Sequence, residues 1–352
     1  MKIILDGRLI SDKKTGISRY SEEILKIYMD LFGSENILLI TTPHLKKHFT
    51  EIKTYKTDLK PFNLLHFFIF HRFLKKIDAD IYHSPFYSNS FFKDRQKIYI
   101  TTVHDLMYRI VNGFFGGFYV INRLAVIYYN LIVKTSLKNS NHIFSISEAT
   151  NQDVKNIFGL NSTTIVEGVN LLETNNLNNV DFYNLNLRKK DFFLYTGNNR
   201  PHKNLTFLIN CYIKSNSTKK LVLVGHKGEN KAIGKKKIIY TGYINDASLK
   251  SLYENASAFV FPSLYEGFGL PVLESINSNT IVFSSDAGSL AEFGEFNIYY
   301  FSPYKEESLI NLLDAVDSYQ FNEESKKIII TRFNWNETKK QLRDFFIHNR
   351  LL

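Results

Sequence analysis

The chain has 352 residues, 44% of them apolar and 22% charged, which excludes intrinsic disorder and exceeds what one ordinary core encloses. Its formal charge of +10 favours an anionic partner, but no long basic run marks a nucleic-acid arm. The single cysteine, Cys211, excludes an intrachain disulfide framework and a thiolate metal cluster, and its place in a helical pattern points to a small buried residue.

Met1–Asp6 reads as a strand and not as a signal peptide, because an acid interrupts the apolar run. From there short apolar runs alternate with helical patterns, the mark of parallel sheets with crossover helices. The first half places strands at Ile3–Leu5, Ile37–Ile40, Ile81–Tyr82, Ile98–Val103 and His142–Ser145, with helices over Arg19–Leu31 and Gly117–Leu137. Within it, Phe67–Lys76 mixes aromatic and basic residues and has two readings: a membrane-surface helix or a core helix with one basic edge. Phe114–Val133 contains Asn122, Arg123 and Asn130, too polar to span a bilayer, and is expected to be a buried amphipathic helix.

Two histidines end strands here. His104 stands where doubly wound folds place ligands, so a functional role is expected. His83 either lines an acceptor cleft or packs. Ser147-Glu148 reads as a helix cap.

The stretch from Asn170 to Lys190 breaks the rhythm and reads as an interdomain connection. The division is then an N-terminal Rossmann-like domain over 1–170, a linker over 171–190, a second Rossmann-like domain over 191–335, and a terminal helix within 336–352 that packs back toward the first domain. Strands are expected at Phe192–Thr196, Leu221–Val224, Ile238–Thr241, Ala258–Phe261, Ile281–Ser284 and Tyr299–Phe301. Lys231, Lys235, Lys236 and Lys237 bracket Gly234 and read as a solvated loop.

The most informative segment is Pro262-Ser-Leu-Tyr-Glu-Gly-Phe-Gly-Leu-Pro-Val-Leu-Glu274. A strand runs into a glycine-bearing turn, and Pro271 sits where a first helical turn tolerates proline. Such a helix start offers unpaired N–H groups to a phosphate. Two carboxylates, Glu266 and Glu274, would repel phosphate and should face sugar and ribose hydroxyls instead.

This Glu266-x7-Glu274 arrangement resembles the E-x7-E motif of glycosyltransferase family 4. Further segments resemble that family in the expected order: Asp6-Gly7-Arg8, Thr15–Tyr20, Tyr82–Pro85, Thr102–Leu106, Ser145–Glu148, Gly168–Asn170, Tyr195–Gly197 through Lys203–Leu205, Tyr240–Ile244 and Phe333–Trp335. The resemblance implies an α/β chain of the GT-B class, two Rossmann-like domains with parallel sheets facing a central cleft. It implies a retaining transferase using a nucleotide-diphosphate sugar, with mannose from GDP-mannose the sugar suggested by likeness.

Carried over by position, Glu266 meets the donor sugar, Glu274 the ribose, and Gly267, Phe268, Gly269 and Leu270 the sugar and diphosphate through their backbone. Lys203 faces the diphosphate, Asp246 the base, Gly16 the phosphates from the N-terminal domain, and His104 the transferred sugar; Gly197 ends the first strand of the donor half. Many relatives place arginine directly after that glycine, where this chain has Asn198, so Arg200 is the nearby substitute. No metal site and no cofactor are expected, since a leaving diphosphate can be stabilised by fixed donors.

The expected partners are the nucleotide sugar, a glycan or lipid-linked acceptor of surface polysaccharide synthesis, and the anionic inner face of a membrane approached from the cytoplasm; no nucleic acid is expected. Competing classes are few. Asp78-Ala79-Asp80 matches the Asp-x-Asp of metal-dependent GT-A transferases, a short pattern that arises easily by chance. A GT-B epimerase or phosphorylase, or a non-catalytic nucleotide-sugar binder, has no separate feature in its favour. Nicotinamide-type oxidoreduction lacks its Gly-x-Gly-x-x-Gly.

Overall fold

A computed structural model describes residues 1–11, 15–45, 49–116, 119–169, 185, 187–198, 200–234 and 236–352. The chain divides into two units: Met1–Glu167 with Trp335–Leu352, and Gly168–Asn334. Most of the stretch read as a linker, together with Asn170 and Lys235, lies outside the described residues.

In the first unit seven parallel strands form one sheet: β1 (Ile3–Asp6), β2 (Ile37–Thr41), β3 (Lys53–Lys56), β4 (Ile81–Ser84), β5 (Ile98–Val103), β6 (His142–Ser145) and β7 (Thr163–Thr164). They lie in the order β3-β2-β1-β4-β5-β6-β7. Every residue of β1, β2 and β4 is buried, as helices on both faces of a parallel sheet require. The helices are α1 (Gly16–Phe32), α2 (Leu64–Leu74), α3 (Met107–Ile110), α4 (Tyr119–Asn139) and α5 (Glu148–Phe158). Right-handed crossovers put α2, α4 and α5 on one face, since each joins strands that advance in the same direction across the sheet. Thr15 caps α1 by accepting from Ser18 N, and Ser147 caps α5 through Thr150 N, the structural role read from Ser147-Glu148.

One expectation needs correction here. The helix foreseen as buried, α4, has interior residues only at Ile132, Val133, Ser136 and Leu137, whereas Val120, Ile121, Leu124, Ile127 and Leu131 are exposed. The aromatic-basic helix α2 is core on one side, burying His66, Phe67, Phe70 and Leu74, with Leu64, Leu65 and Phe68 left outside.

The second unit has strands β8 (Phe192–Thr196), β9 (Lys220–Val224), β10 (Lys231–Ile233), β11 (Lys236–Gly242), β12 (Ala258–Phe261), β13 (Val282–Ser285) and β14 (Ile298–Phe301), in the order β10-β11-β9-β8-β12-β13-β14. All neighbours are parallel except β10, which pairs antiparallel with β11 at the edge. The supposed solvated lysine loop is therefore largely strand, and Lys236 Nζ lies 5.0 Å from the centre of the Tyr212 ring. Around the sheet run α6 (Leu205–Lys214), α7 (Asp246–Asn255), α8 (Leu270–Asn277), α9 (Glu306–Asp314) and α10 (Glu323–Arg332). Phe193, Leu208, Cys211, Leu221, Val260 and Phe283 belong to one continuous core. Cys211 is fully enclosed, and burial pushes its thiol up to about 12, so it is an inert packing residue.

The last helix, α11 (Trp335–His348), belongs to the first unit. It lies along α1, where Phe346 packs on Tyr28 and Phe32 and Lys339 pairs with Asp30. Val166 N donates to Gln341 Oε1 at 2.9 Å, tying the helix beside β7.

Candidate active site

In the second unit the sugar-nucleotide residues named from the sequence follow the carboxyl ends of β8, β11 and β12, the edge where open parallel sheets bind ligands. The loop after β12 is set by its neighbours. Ser289 Oγ lies 3.0 Å from the carbonyl oxygen of Glu266 and 2.8 Å from that of Phe268, and Ser285 Oγ donates to the Ser263 carbonyl. Gly269 has φ of +111°, and a Cβ there would lie 2.5 Å from Leu290 Cδ2, so only glycine closes this turn into α8. Pro271 occupies the first turn of α8, where its missing N–H removes no helical hydrogen bond.

Across from this loop, a 3-10 turn at Pro201–Lys203 is pinned by Leu264 N donating to the His202 carbonyl at 2.7 Å. The turn aims Lys203 at the loop. Its Nζ lies 2.6 Å from Glu266 Oε1, with only 12% and 11% of the two side chains exposed, and 4.8 Å from the centre of the Phe261 ring. Structure thus joins two residues that the sequence names separately. Glu274, one helical turn into α8, is half-buried and accepts from Tyr253 Oη at 3.3 Å.

The loops after β9 and β11 clasp each other: Gly225 N donates to the Gly242 carbonyl at 2.8 Å, and Gly242 N to the His226 carbonyl at 2.9 Å. Gly225 has φ of +87°, and a Cβ would sit 2.4 Å from the Gly197 carbonyl oxygen, so the backbones of Gly197 and Gly225 approach as no side chain would permit. Asp246 opens α7 just beyond Gly242, half-buried behind the Asn245 cap. Arg200 is exposed in its turn, with its backbone N donating to Asn198 Oδ1 at 3.3 Å.

Sequence reasoning missed a set of buried polar atoms at this edge. Tyr195 Oη, His202 Nδ1, His226 Nε2 and Ser263 Oγ have no hydrogen-bond partner among the described residues. Such atoms are costly to leave dry, which fits a site finished by a polar ligand. Burial pushes His202 down to about 4, Glu266 opposing and Lys203 and Arg200 adding, so its imidazole is neutral at pH 7. The available signal was positional: Tyr195, His226 and Ser263 each lie at or just after a strand end.

In the first unit, Gly16 begins α1 with open space where a Cβ would stand. His104 follows β5, buried, its ring edge-on to Tyr20 at 4.7 Å. Its Nε2 lies 2.9 Å from the Pro85 carbonyl oxygen, which can only accept, so Nε2 carries the hydrogen and Nδ1 is the acceptor. Burial holds this imidazole down at about 4. His83 packs: Tyr28 Oη meets Nδ1 at 2.8 Å and Thr102 Oγ1 meets Nε2 at 2.9 Å, leaving no ring nitrogen for a ligand.

The Asp6-Gly7-Arg8 segment holds a fully buried ion pair. Arg8 donates to both Asp6 oxygens, Tyr82 Oη reaches Asp6 Oδ2 at 2.7 Å, and Arg8 Nη1 reaches the Leu59 carbonyl and His66 Nδ1. The Asp78-Ala79-Asp80 pattern lies before the amino end of β4, where Lys2 pairs with Asp78 at 3.0 Å and donates through its backbone to Asp80. That is the opposite sheet edge from His83 and His104.

Residues 179–332 match the family model of glycosyl transferases group 1. That match lies within the second unit, Gly168–Asn334. Similar proteins extend the likeness beyond that unit. O-antigen chain mannosyltransferase B of Escherichia coli is 25% identical over 330 residues, 83% of this chain and 84% of that protein. O-antigen chain mannosyltransferase RfbU of Salmonella typhimurium is 23% identical over 71% of this chain and 69% of that protein. Solved structures share the fold over nearly the full length. Sucrose-phosphate synthase from Thermosynechococcus elongatus superposes with a TM-score of 0.72 at 17% identity, covering 99% of this chain and 98% of that one. Anabaena HepE in complex with UDP has a TM-score of 0.69 at 14% identity over 99% and 100% of the two chains. The fold is thus the GT-B type: two Rossmann-like units, each with a predominantly parallel sheet. Among the described residues no helix is long and apolar enough to cross a membrane.

Proposed function

We propose that the protein is a retaining, family 4 hexosyltransferase that moves mannose from GDP-mannose to a lipid-linked glycan on the cytoplasmic face of an anionic membrane. The observation that carries this is the Lys203–Glu266 pair beside the start of α8. A cation, open helix amides and a carboxylate at one strand edge match the three parts of a sugar diphosphate: leaving phosphate, bridging phosphate and hydroxylated ring. The mannosyltransferase relatives support the sugar, and a neighbour bound to UDP supports a nucleotide donor.

In the proposed reaction the acceptor hydroxyl attacks the anomeric carbon on the face from which the diphosphate leaves. The bond from that carbon to the phosphate oxygen breaks with its electron pair on the oxygen, which takes the acceptor's proton. Lys203 offsets the charge that develops there, and Glu266 orients the sugar through its hydroxyls. Glu274 binds the ribose, Asp246 lies toward the base, and the backbone of Gly267–Leu270 holds sugar and diphosphate. Gly197 leaves room for close approach, Arg200 supplies a second cation, and Gly16 and His104 serve from the first unit. Positive charge from Lys203 and the α8 amides makes a metal unnecessary in this scheme.

The test is transfer of labelled mannose from GDP-mannose to a lipid-linked oligosaccharide in EDTA, followed by assignment of the new linkage. The proposal expects an α-linkage formed equally with and without chelator. A β-linkage, or transfer restored only by a divalent cation, would contradict it.

A further inference from the structure

The outward face of the α2–α4 layer is built from apolar and cationic groups in a defined arrangement. On α4, Val120, Leu124, Ile127 and Leu131 recur at i, i+4, i+7 and i+11, each more than half exposed, and Ile121 stands beside them. The same line of the helix continues as Lys134 and Lys138, with Arg123 at its flank, and α4 contains no aspartate or glutamate. A stripe of this size on a helix surface is far more apolar than a solvated face requires.

The neighbouring elements extend it. Tyr128 Oη donates to the Phe62 carbonyl at 2.7 Å, and the Phe62 ring stacks on Tyr129 at 5.6 Å, joining α4 to the start of α2. At the other end, Asn139 Nδ2 donates to the Ser90 and Phe91 carbonyls. Between these ties, Leu64, Leu65 and Phe68 on α2 and Phe91 and Phe92 in the following loop are exposed, and Phe91 touches the rings of Phe67 and Phe92.

This aromatic ridge ends at a basic depression. A cavity of about 700 Å³ is lined by Lys75, Lys76, Asp78, Lys93, Asp94, Arg95 and Lys97, among others. Asp78 is paired with Lys2 at 3.0 Å and Asp94 faces Lys97 at 3.7 Å, so Lys75, Lys76, Lys93 and Arg95 carry the excess charge. Lys93 follows Phe92 directly, and Phe92 lies 5.1 Å from His71 on α2.

We propose that this face is a membrane-docking surface: the α4 stripe and the Phe91–Phe92 ridge enter the headgroup–acyl boundary of a bilayer, and the Lys75, Lys76, Lys93 and Arg95 depression seats anionic lipid headgroups. The charge pattern selects this occupant. An apolar stripe on a helix without carboxylates, beside a depression whose two aspartates are answered by Lys2 and Lys97 and whose other cations are in excess, complements an anionic lipid surface. A second copy of the chain would instead set these cations against themselves across an isologous contact. The proposal rests on the membrane contact proposed above and names its surface, but its measurement needs neither donor nor acceptor, so its failure removes that contact and leaves the sugar-transfer reading standing.

The full chain is sedimented with vesicles of 30% phosphatidylglycerol in phosphatidylcholine and with pure phosphatidylcholine, at low salt. Wild type is expected to partition onto the anionic vesicles. Leu124→Glu with Leu131→Glu should weaken partitioning by about tenfold or more, since each substitution puts a charge where acyl chains would lie. Lys93→Gln with Arg95→Gln should weaken it roughly fivefold per cation on anionic vesicles. All four positions are solvent-facing or half-buried, and unchanged thermal unfolding of the variants verifies that they fold. Equal sedimentation with and without anionic vesicles overturns the proposal. So does partitioning that both variants retain, a dimer in sedimentation equilibrium that Leu124→Glu dissolves, or inorganic phosphate binding at the depression with no vesicle association.

Discussion

Lys203 Nζ meets Glu266 Oε1 at 2.6 Å across 63 residues of sequence, nearly shut off from water. A pair of this kind is tolerated because each charge answers the other, and either alone would be stranded. In the proposed reaction substrate would redistribute it, phosphate taking the ammonium and sugar hydroxyls the carboxylate. Lys203→Met should therefore destabilise the fold by about 3–5 kcal/mol, and Lys203→Met with Glu266→Gln by clearly less. Urea unfolding of the two variants checks this, with equal losses counting against a coupled pair.

The two glutamates are expected to separate kinetically. Glu274 accepts from Tyr253 Oη on the helix and is proposed to bind the ribose, so Glu274→Ala should raise the donor Kd at least about tenfold while sparing most of kcat. Glu266→Ala should lower kcat by about 10²-fold, since it removes a contact that orients the reacting sugar. Donor titration and steady-state kinetics on both variants decide, and identical parameters would remove the assigned roles.

Glycine positions give a contrast between architecture and access. At Gly225 an added Cβ meets the Gly197 carbonyl at 2.4 Å under a left-handed φ, so Gly225→Ala should lose about 1–3 kcal/mol of stability. At Gly16 the space is open in the first turn of a helix, so Gly16→Ala should leave stability unchanged or raise it by up to about 1 kcal/mol. A fall in donor affinity in that stable variant would assign Gly16 to ligand approach. Unaltered affinity would make it only a helix start.

Buried titratable groups set opposite pH slopes. Burial holds His104 at about 4, below its ordinary 6.5, so the unfolded chain binds the extra proton between those values. Its contribution is complete above pH 6.5 and is lost as pH falls toward 4. His104→Asn should therefore flatten the acid side of the stability curve by about 1.4 kcal/mol per pH unit in that window. Glu167 is the reverse: burial raises its carboxyl to about 8 from 4.5, so stability present below pH 4.5 is lost as pH rises toward 8. Glu167→Gln should stabilise the protein at pH 8 and leave it unchanged at pH 4. Urea unfolding across pH 4–8 checks both slopes.

Much of this was legible because parallel strands buried on both faces are written as continuous apolar runs. Ile98–Val103, His142–Ser145, Phe192–Thr196 and Ala258–Phe261 match their strands residue for residue. The strand Lys53–Lys56 was illegible for the same reason: at the sheet edge it is mostly exposed and carries two lysines and a threonine. Apolar periodicity shows that α4 is a helix but not which neighbour covers its stripe, and the structure leaves that stripe uncovered. At the site, Glu266 and Glu274 announce themselves by spacing and resemblance. The unpartnered Tyr195, His226 and Ser263 do not, because their meaning arises only when three strand ends are brought together.

The central claim is that one strand edge of the second unit binds a nucleoside diphosphate sugar through Lys203 without a metal. Calorimetric titration with GDP, UDP, dTDP and ADP in EDTA tests it most directly. The account predicts that one of the four binds in chelator and that Lys203→Ala raises its Kd at least about tenfold, the loss of a charge-assisted contact. Binding that appears only with a divalent cation, or that Lys203→Ala leaves intact, would contradict it.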